Sequence, residues 1–197
     1  MATPPPGAPP QYTPAAQPAM APYKPFLAMP FIGIHSIQND NSGTGPGLRV
    51  GGLIGARLNE QVSFNAEALF DLWNFSNVPD GASVSAYVIQ VSAAPLYHLQ
   101  VAPTAEIVVG PKLGFFYDSE SVSASSAYYN VDVSVGGEGF LVGANLGAFF
   151  RLSDALSLGG LVNFDYLKEE WCSSNQGDCT AGDDGIKVIS LAGAAQF

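Results

Sequence analysis

From residue 26 onward, apolar side chains alternate with small or polar ones at a period of two, in runs broken by turn-forming stretches. The clearest case is Phe140–Tyr166. Phe140, Val142, Ala144, Leu146, Ala148 and Phe150 share one parity, and Gly143, Asn145, Gly147, Phe149 and Arg151 share the other. After the turn signal Ser153-Asp154, Leu156, Leu158, Gly160, Val162, Phe164 and Tyr166 alternate with Ser157, Gly159, Leu161, Asn163 and Asp165. A strand points successive side chains to opposite faces, so this pattern predicts a hairpin with one greasy and one small or polar face. Each run has the ~9–11 residues that a tilted strand needs to cross a bilayer.

The same texture predicts strands at 26–37, 48–58, 62–74, 84–98, 105–117 and 185–197. Turn-rich stretches separate them: 38–47, Asn59-Glu60, 76–82, 99–104, 118–137, Ser153-Asp154 and 168–184. Long and short connections therefore alternate. That is the signature of an all-β, eight-stranded antiparallel up-and-down barrel with short turns at one end and long loops at the other. Pro30 and Pro111 fall inside predicted strands, where proline cannot donate to a ladder, and Pro111 predicts a bulge.

The distribution of charge orients the faces. Charged residues make up 12% of the chain, about half the usual ~25%. Within the strands they gather on the small or polar parity: Arg49, Arg57, Glu67, Asp71, Glu106, Lys112, Arg151 and Asp165. The opposite parity is almost free of charge through strands two to seven. A charge on a lipid face costs roughly 2–4 kcal/mol at the midplane, and buried charges must be paired. The greasy parity is therefore expected to face lipid, and the eight charges to form a network in a narrow lumen. Glycines crowd the inner parity, where an eight-stranded barrel is tightest. Aromatics such as Tyr87, Tyr97, Tyr117, Phe140, Phe150 and Tyr166 sit near strand ends, as interfacial girdles do. A soluble barrel of this sequence would bury several charges in its core or expose six apolar residues per strand.

The termini and loops add less. Residues 1–25 hold nine of the fifteen prolines, with Ala and Gln, and predict a disordered, extended linker ahead of a barrel at 26–197. Residues 1–23 carry no Lys or Arg and no apolar core of the kind a secretory signal has. The net charge of −10 argues against a nucleic-acid partner. Cys172 and Cys179 lie in a polar loop, where the alternatives are a local disulfide and two free thiols; six-residue spacing is not a metal signature. Asp178, Asp183 and Asp184 lack an EF-hand pattern, so no metal and no cofactor are expected. Catalysis is not expected either. His35 and Ser36 are neighbours on one strand and point to opposite faces, and His98 has Leu96 and Gln100 beside it on its own face.

The segments 51–70 (GGLIGARLNEQVSFNAEALF), 108–118 (VVGPKLGFFYD) and 143–166 (GANLGAFFRLSDALSLGGLVNFDY) resemble the small eight-stranded outer-membrane β-barrel proteins. These include the opacity-type porin-like proteins and the membrane domain of outer-membrane protein A. The terminal Phe197, after alternating Ile189, Leu191, Gly193 and Ala195, resembles their C-terminal signal. The resemblance implies a bacterial outer-membrane location, contact with its lipid, and recognition of Phe197 by the barrel-assembly machinery. It implies a structural or surface-interaction role, with long loops at the cell surface and periplasmic or cell-surface protein partners. The alternative it leaves open is a narrow channel for small or apolar solutes.

Overall fold

The computed structural model describes residues 25–38, 46–74, 82–125, 130–172, 179–181 and 185–197. The expected linker lies outside these residues except for Pro25. So do the acidic residues Asp178, Asp183 and Asp184 and the side chains of Cys172 and Cys179.

Among the described residues, nine strands follow in chain order: β1 (Phe26–Gln38), β2 (Gly47–Arg57), β3 (Val62–Asn74), β4 (Ala82–Ala102), β5 (Ala105–Ser125), β6 (Asn130–Arg151), β7 (Ser157–Cys172), β8 (Cys179–Ala181) and β9 (Ile186–Gln196). All pair antiparallel. Each of β1 to β7 pairs with the next, β7 pairs with β9, and β9 returns to β1. The result is a closed eight-stranded up-and-down barrel. The three-residue β8 folds back on the end of β7 and places Cys172 opposite Cys179. Over the length that the eight strands share, closure leaves no free edge around the wall, and each strand has a neighbour on both sides.

The short turns are held locally. Asn59 Oδ1 accepts from the amides of Gln61 and Val62, both at 2.8 Å. Ser153 Oγ accepts from those of Ala155 and Leu156, at 3.2 and 3.1 Å. Such side-chain caps stand in for missing ladder bonds.

Several strands outrun their predicted ends. The stretch 118–137, expected as a loop, instead continues β5 and β6 in register from Asp118↔Gly137 to Ser125↔Asn130. Serine and glycine obscure its alternation, but Val122 and Val133 pair across it. β4 likewise starts at Ala82, and β7 runs through Cys172 into the expected loop. Together β4, β5 and β6 form a wall that rises roughly 20 Å past Tyr117, from eight residues at ~3.3 Å each along a tilted strand.

The prolines also behave differently from expectation. Pro111 causes no register shift; that shift falls at Gln100–Ala102, beside the turn. Between Ala93↔Leu113 and Tyr97↔Val109 the ladder skips three positions with its register intact. There Pro95 and Pro111 stand opposite each other, and neither has an N–H to give. On β1, Pro30 pairs with Gly52 of β2, while its other side meets β9 where the ladder has stopped at Phe31↔Ala194.

Alternation now has a geometry. Ile32, Ile54, Phe64, Val91, Leu113, Phe115, Phe140 and Leu146 are exposed, whereas their sequence neighbours point inward. On the outside, rings meet across adjacent strands: Phe70–Tyr87 at 6.0 Å, Tyr87–Tyr117 at 6.4 Å and Phe115–Phe140 at 5.1 Å. Glycine follows the same division. A Cβ on inward Gly143 would lie 2.7 Å from Asp165 Oδ1 and 3.0 Å from Lys112 Cε. On outward Gly160 it would meet nothing closer than 3.7 Å. Gly143→Ala should therefore lower stability by ~1–3 kcal/mol through overpacking, while Gly160→Ala stays within about 0.5 kcal/mol of the parent. Urea unfolding of the refolded variants in lipid vesicles checks both.

Candidate functional site: the filled lumen and its short-turn mouth

The inward side chains form three tiers. Nearest the short turns, Leu27, Met29, Phe31, Leu53, Leu96 and Phe149 lead an apolar cluster that also holds Leu69, Val108 and Leu161. Towards the long connections, Trp73, Val88, Phe116, Leu141, Leu167 and Val188 form a second cluster. Between them lies a belt of buried ions. Arg49 reaches Asp71 with two parallel bonds, Nε to Oδ1 and Nη2 to Oδ2, each 2.7 Å. Its Nη1 donates to Asp165 Oδ2 at 2.8 Å and Ser190 Oγ at 3.0 Å. Lys112 Nζ sits 2.7 Å from Asp165 Oδ1 and 3.2 Å from Glu67 Oε2.

Further polar side chains complete the belt. Gln90 donates to Asp71 at 2.9 Å, Ser92 donates to Glu67 at 3.0 Å, and His35 Nδ1 lies 3.1 Å from Asp71. Asn145 and Asn163 face each other across β6 and β7, both fully buried. An isolated buried charge costs several kcal/mol; a fork of two bonds with further partners offsets that. The strands supply this geometry directly, because Arg49 and Asp71 are cross-strand partners in the β2–β3 ladder.

A second polar group occupies the mouth at the short-turn end. Glu106 Oε1 accepts from Arg57 Nη2 at 2.8 Å and from His98 Nδ1 at 2.9 Å. Its Oε2 accepts from Arg57 Nη2 at 3.1 Å and Gln196 Nε2 at 3.2 Å. On the other side of the ring, His98 Nε2 and the Ser63 hydroxyl are hydrogen-bonded at 2.8 Å. Ser63 Oγ accepts in turn from Asn65 Nδ2 at 2.8 Å. Beside this chain lies a cavity of about 140 Å³, bordered by Arg57, His98, Glu106, Phe149, Arg151 and Ser157.

The eight charges singled out in the sequence thus divide. Arg49, Glu67, Asp71, Lys112 and Asp165 meet in the belt, Arg57 and Glu106 meet at the mouth, and Arg151 joins neither network by an ion pair among the described residues. The sequence pattern does not single out His35, Gln90, Ser92 and Ser190 as belt partners, or Ser63 and His98 as mouth partners. No serine lies two residues from His98 on its own face, where Leu96 and Gln100 flank it, whereas Ser63 arrives from the neighbouring strand. Shared inward parity is the available signal. Ser63, His98 and Glu106 follow the order of a hydrolase triad, but Ser63 has no exposure and is not on the cavity wall. No ester carbonyl reaches its hydroxyl in this arrangement. The short contacts among these three groups are satisfied lumen hydrogen bonds.

No protein-family model and no curated protein matches the sequence. Solved structures do match in shape. Neisserial surface protein A is similar at 11% identity with a TM-score of 0.56, over 88% of this chain and 96% of that one. Ail, the attachment invasion locus protein of Yersinia pestis, in complex with sucrose octasulfate, gives 11% and 0.51 over 87% and 97%. A major outer membrane protein from Thermus thermophilus gives 14% and 0.51 over 87% and 99%. The fold is that of the small outer-membrane β-barrels. In this barrel Arg49, Glu67, Asp71, Lys112 and Asp165 are interior, while Ile54, Val91, Leu113 and Leu146 stand on the outer surface.

The belt generates a direct test. Arg49→Met removes the guanidinium shared by Asp71 and Asp165 and leaves both carboxylates buried. The variant should lose ~3–5 kcal/mol, the usual cost of breaking a buried pair from one side. The urea midpoint of the folded gel band measures the loss.

Proposed function

We propose that this chain is a bacterial outer-membrane protein with a structural and surface-interaction role, and that its barrel does not serve as an open pore. The observation that carries this reading is the filled lumen, in which two apolar clusters enclose an ionic belt and the belt side chains are buried. An eight-stranded barrel is just wide enough for side chains to fill it. The outer surface supports the lipid assignment. Ile54, Val91, Leu113 and Leu146 are exposed, while the exposed charges Glu138, Lys168 and Lys187 lie at the long-connection end with Tyr166 beside Lys187. A ring-rich zone bordered by charge is what a bilayer interface selects.

The long connections then lie at the cell surface, and the tall β4–β6 wall carries them outward to protein partners. The short turns and the Pro-rich residues 1–25 lie in the periplasm, the latter as a spacer. Phe197, paired with Ala28 through N–H to O at 2.9 Å, supplies the end that the assembly machinery reads. The β7–β8 pairing favours a disulfide between Cys172 and Cys179, in keeping with an oxidising compartment. The chain acts without enzymatic chemistry, cofactor or metal.

Two outcomes test this reading. Val91→Arg places a charge on the proposed lipid face and should cost ~2–4 kcal/mol of stability in vesicles, while folding in a detergent micelle is less affected. In planar bilayers the purified protein should give no discrete conductance steps. Steady single-channel steps from the wild-type chain would replace the closed reading with the narrow-channel one.

A further inference from the structure

The mouth cavity at the short-turn end has chemistry that neither lumen filling nor lipid contact requires. Two guanidinium groups stand on its wall, Arg57 and Arg151. Glu106 does not cancel them both. Its two oxygens already take four hydrogen bonds, from Arg57, His98 and Gln196, so it serves to hold Arg57 in place. Arg57 Nε is buried and has no hydrogen-bond partner among the described residues. Arg151 makes no ion pair among the described residues, and its partner across the β6–β7 ladder is Ser157. The cavity wall therefore carries one guanidinium, that of Arg151, beyond the one that Glu106 engages.

A guanidinium fork matches a planar carboxylate with two parallel bonds. The size of the cavity restricts the ligand further. At about 140 Å³ it has room for a carboxylate on an amino-acid-sized body. Phe149 gives one side an apolar lining for a short side chain, and Gln61 and Gln100 can meet an amide. Glu60, exposed on the rim, disfavours anions of higher charge such as phosphate.

We propose that this mouth binds a carboxylate on an amino-acid-sized group, either the C-terminal residue of a peptide or a free small acid, with Arg151 as the forked donor. Capture of a terminal carboxylate by fixed donors is a known mode of peptide recognition. The site goes beyond the structural and surface-interaction role and holds whether or not the lumen conducts. Its failure would leave the closed-barrel reading standing.

The test uses the full folded chain in detergent micelles and isothermal titration at millimolar probe. The probes are N-acetyl-alanyl-alanine with a free carboxylate, its C-terminal amide, acetate and inorganic phosphate. The free acid should bind, with the amide and phosphate at least about tenfold weaker. Arg151→Gln should weaken the free acid by a similar factor while leaving the folded gel band unchanged, and Arg151→Lys should retain part of the affinity. A dipeptide tighter than acetate identifies a peptide end, and equal affinities identify a small acid. No binding by either carboxylate, equal binding of acid and amide, phosphate as tight as the acid, or an unaffected Arg151→Gln would each overturn the proposal.

Discussion

Hydrocarbon offers no hydrogen bonds, so a chain that crosses it in strands must close its own ladder. Every other property of this molecule depends on that constraint. Closure of eight strands produces an interior of fixed, small width. Inward positions must then be glycine, a side chain that interlocks with its neighbours, or an ion that brings its partner with it. The belt of Arg49, Asp71, Asp165, Lys112 and Glu67 is the ionic solution, and Gly143 is what allows Lys112 and Asp165 to meet.

The interior is also organised along the barrel axis. Apolar clusters on both sides of the belt exclude water from it, which strengthens the attraction between the ions and raises the cost of leaving any of them unpaired. Ion pairs of this kind add little net stability compared with well-packed apolar residues, but they oppose alternative registers. A slip of one residue in β2 against β3 would separate Arg49 from Asp71 and turn inward charge to the outer face. The belt and the outward apolar alternation thus enforce the same register from opposite sides of the wall.

Much of this is legible in the sequence because period-two alternation survives burial on one face and lipid on the other. Phe140–Tyr166 shows its hairpin, its turn at Ser153 and the sides taken by Asn145, Asn163 and Asp165 directly. What stays hidden depends on pairing between distant strands. Parity places Arg49 and Asp165 inside, but their contact spans 116 positions and rests on the seam between the chain's ends. The Ser63–His98–Glu106 chain is hidden for the same reason, since each member comes from a different strand. The upper reaches of β5 and β6 resemble loop because serine and glycine are weak strand formers; their cross-strand partners, not their own propensity, keep them extended. Pro111 suggests a bulge when its strand is considered by itself, whereas opposite Pro95 it interrupts the ladder without shifting its register.

The junction of β1 and β9 has a consequence for the order of events in biogenesis. Its ladder joins residues from the two ends of the barrel, from Phe31↔Ala194 to Gln38↔Lys187, is interrupted at Pro30, and resumes in the same register where Ala28 and Phe197 exchange backbone hydrogen bonds. No fragment released partway through synthesis can close, because the partner of β1 is the last strand made. Loop-closure entropy for this seam is the largest in the molecule, and contacts of such separation form slowly. Until then β1 and β9 are two unpaired edges, each inviting another strand.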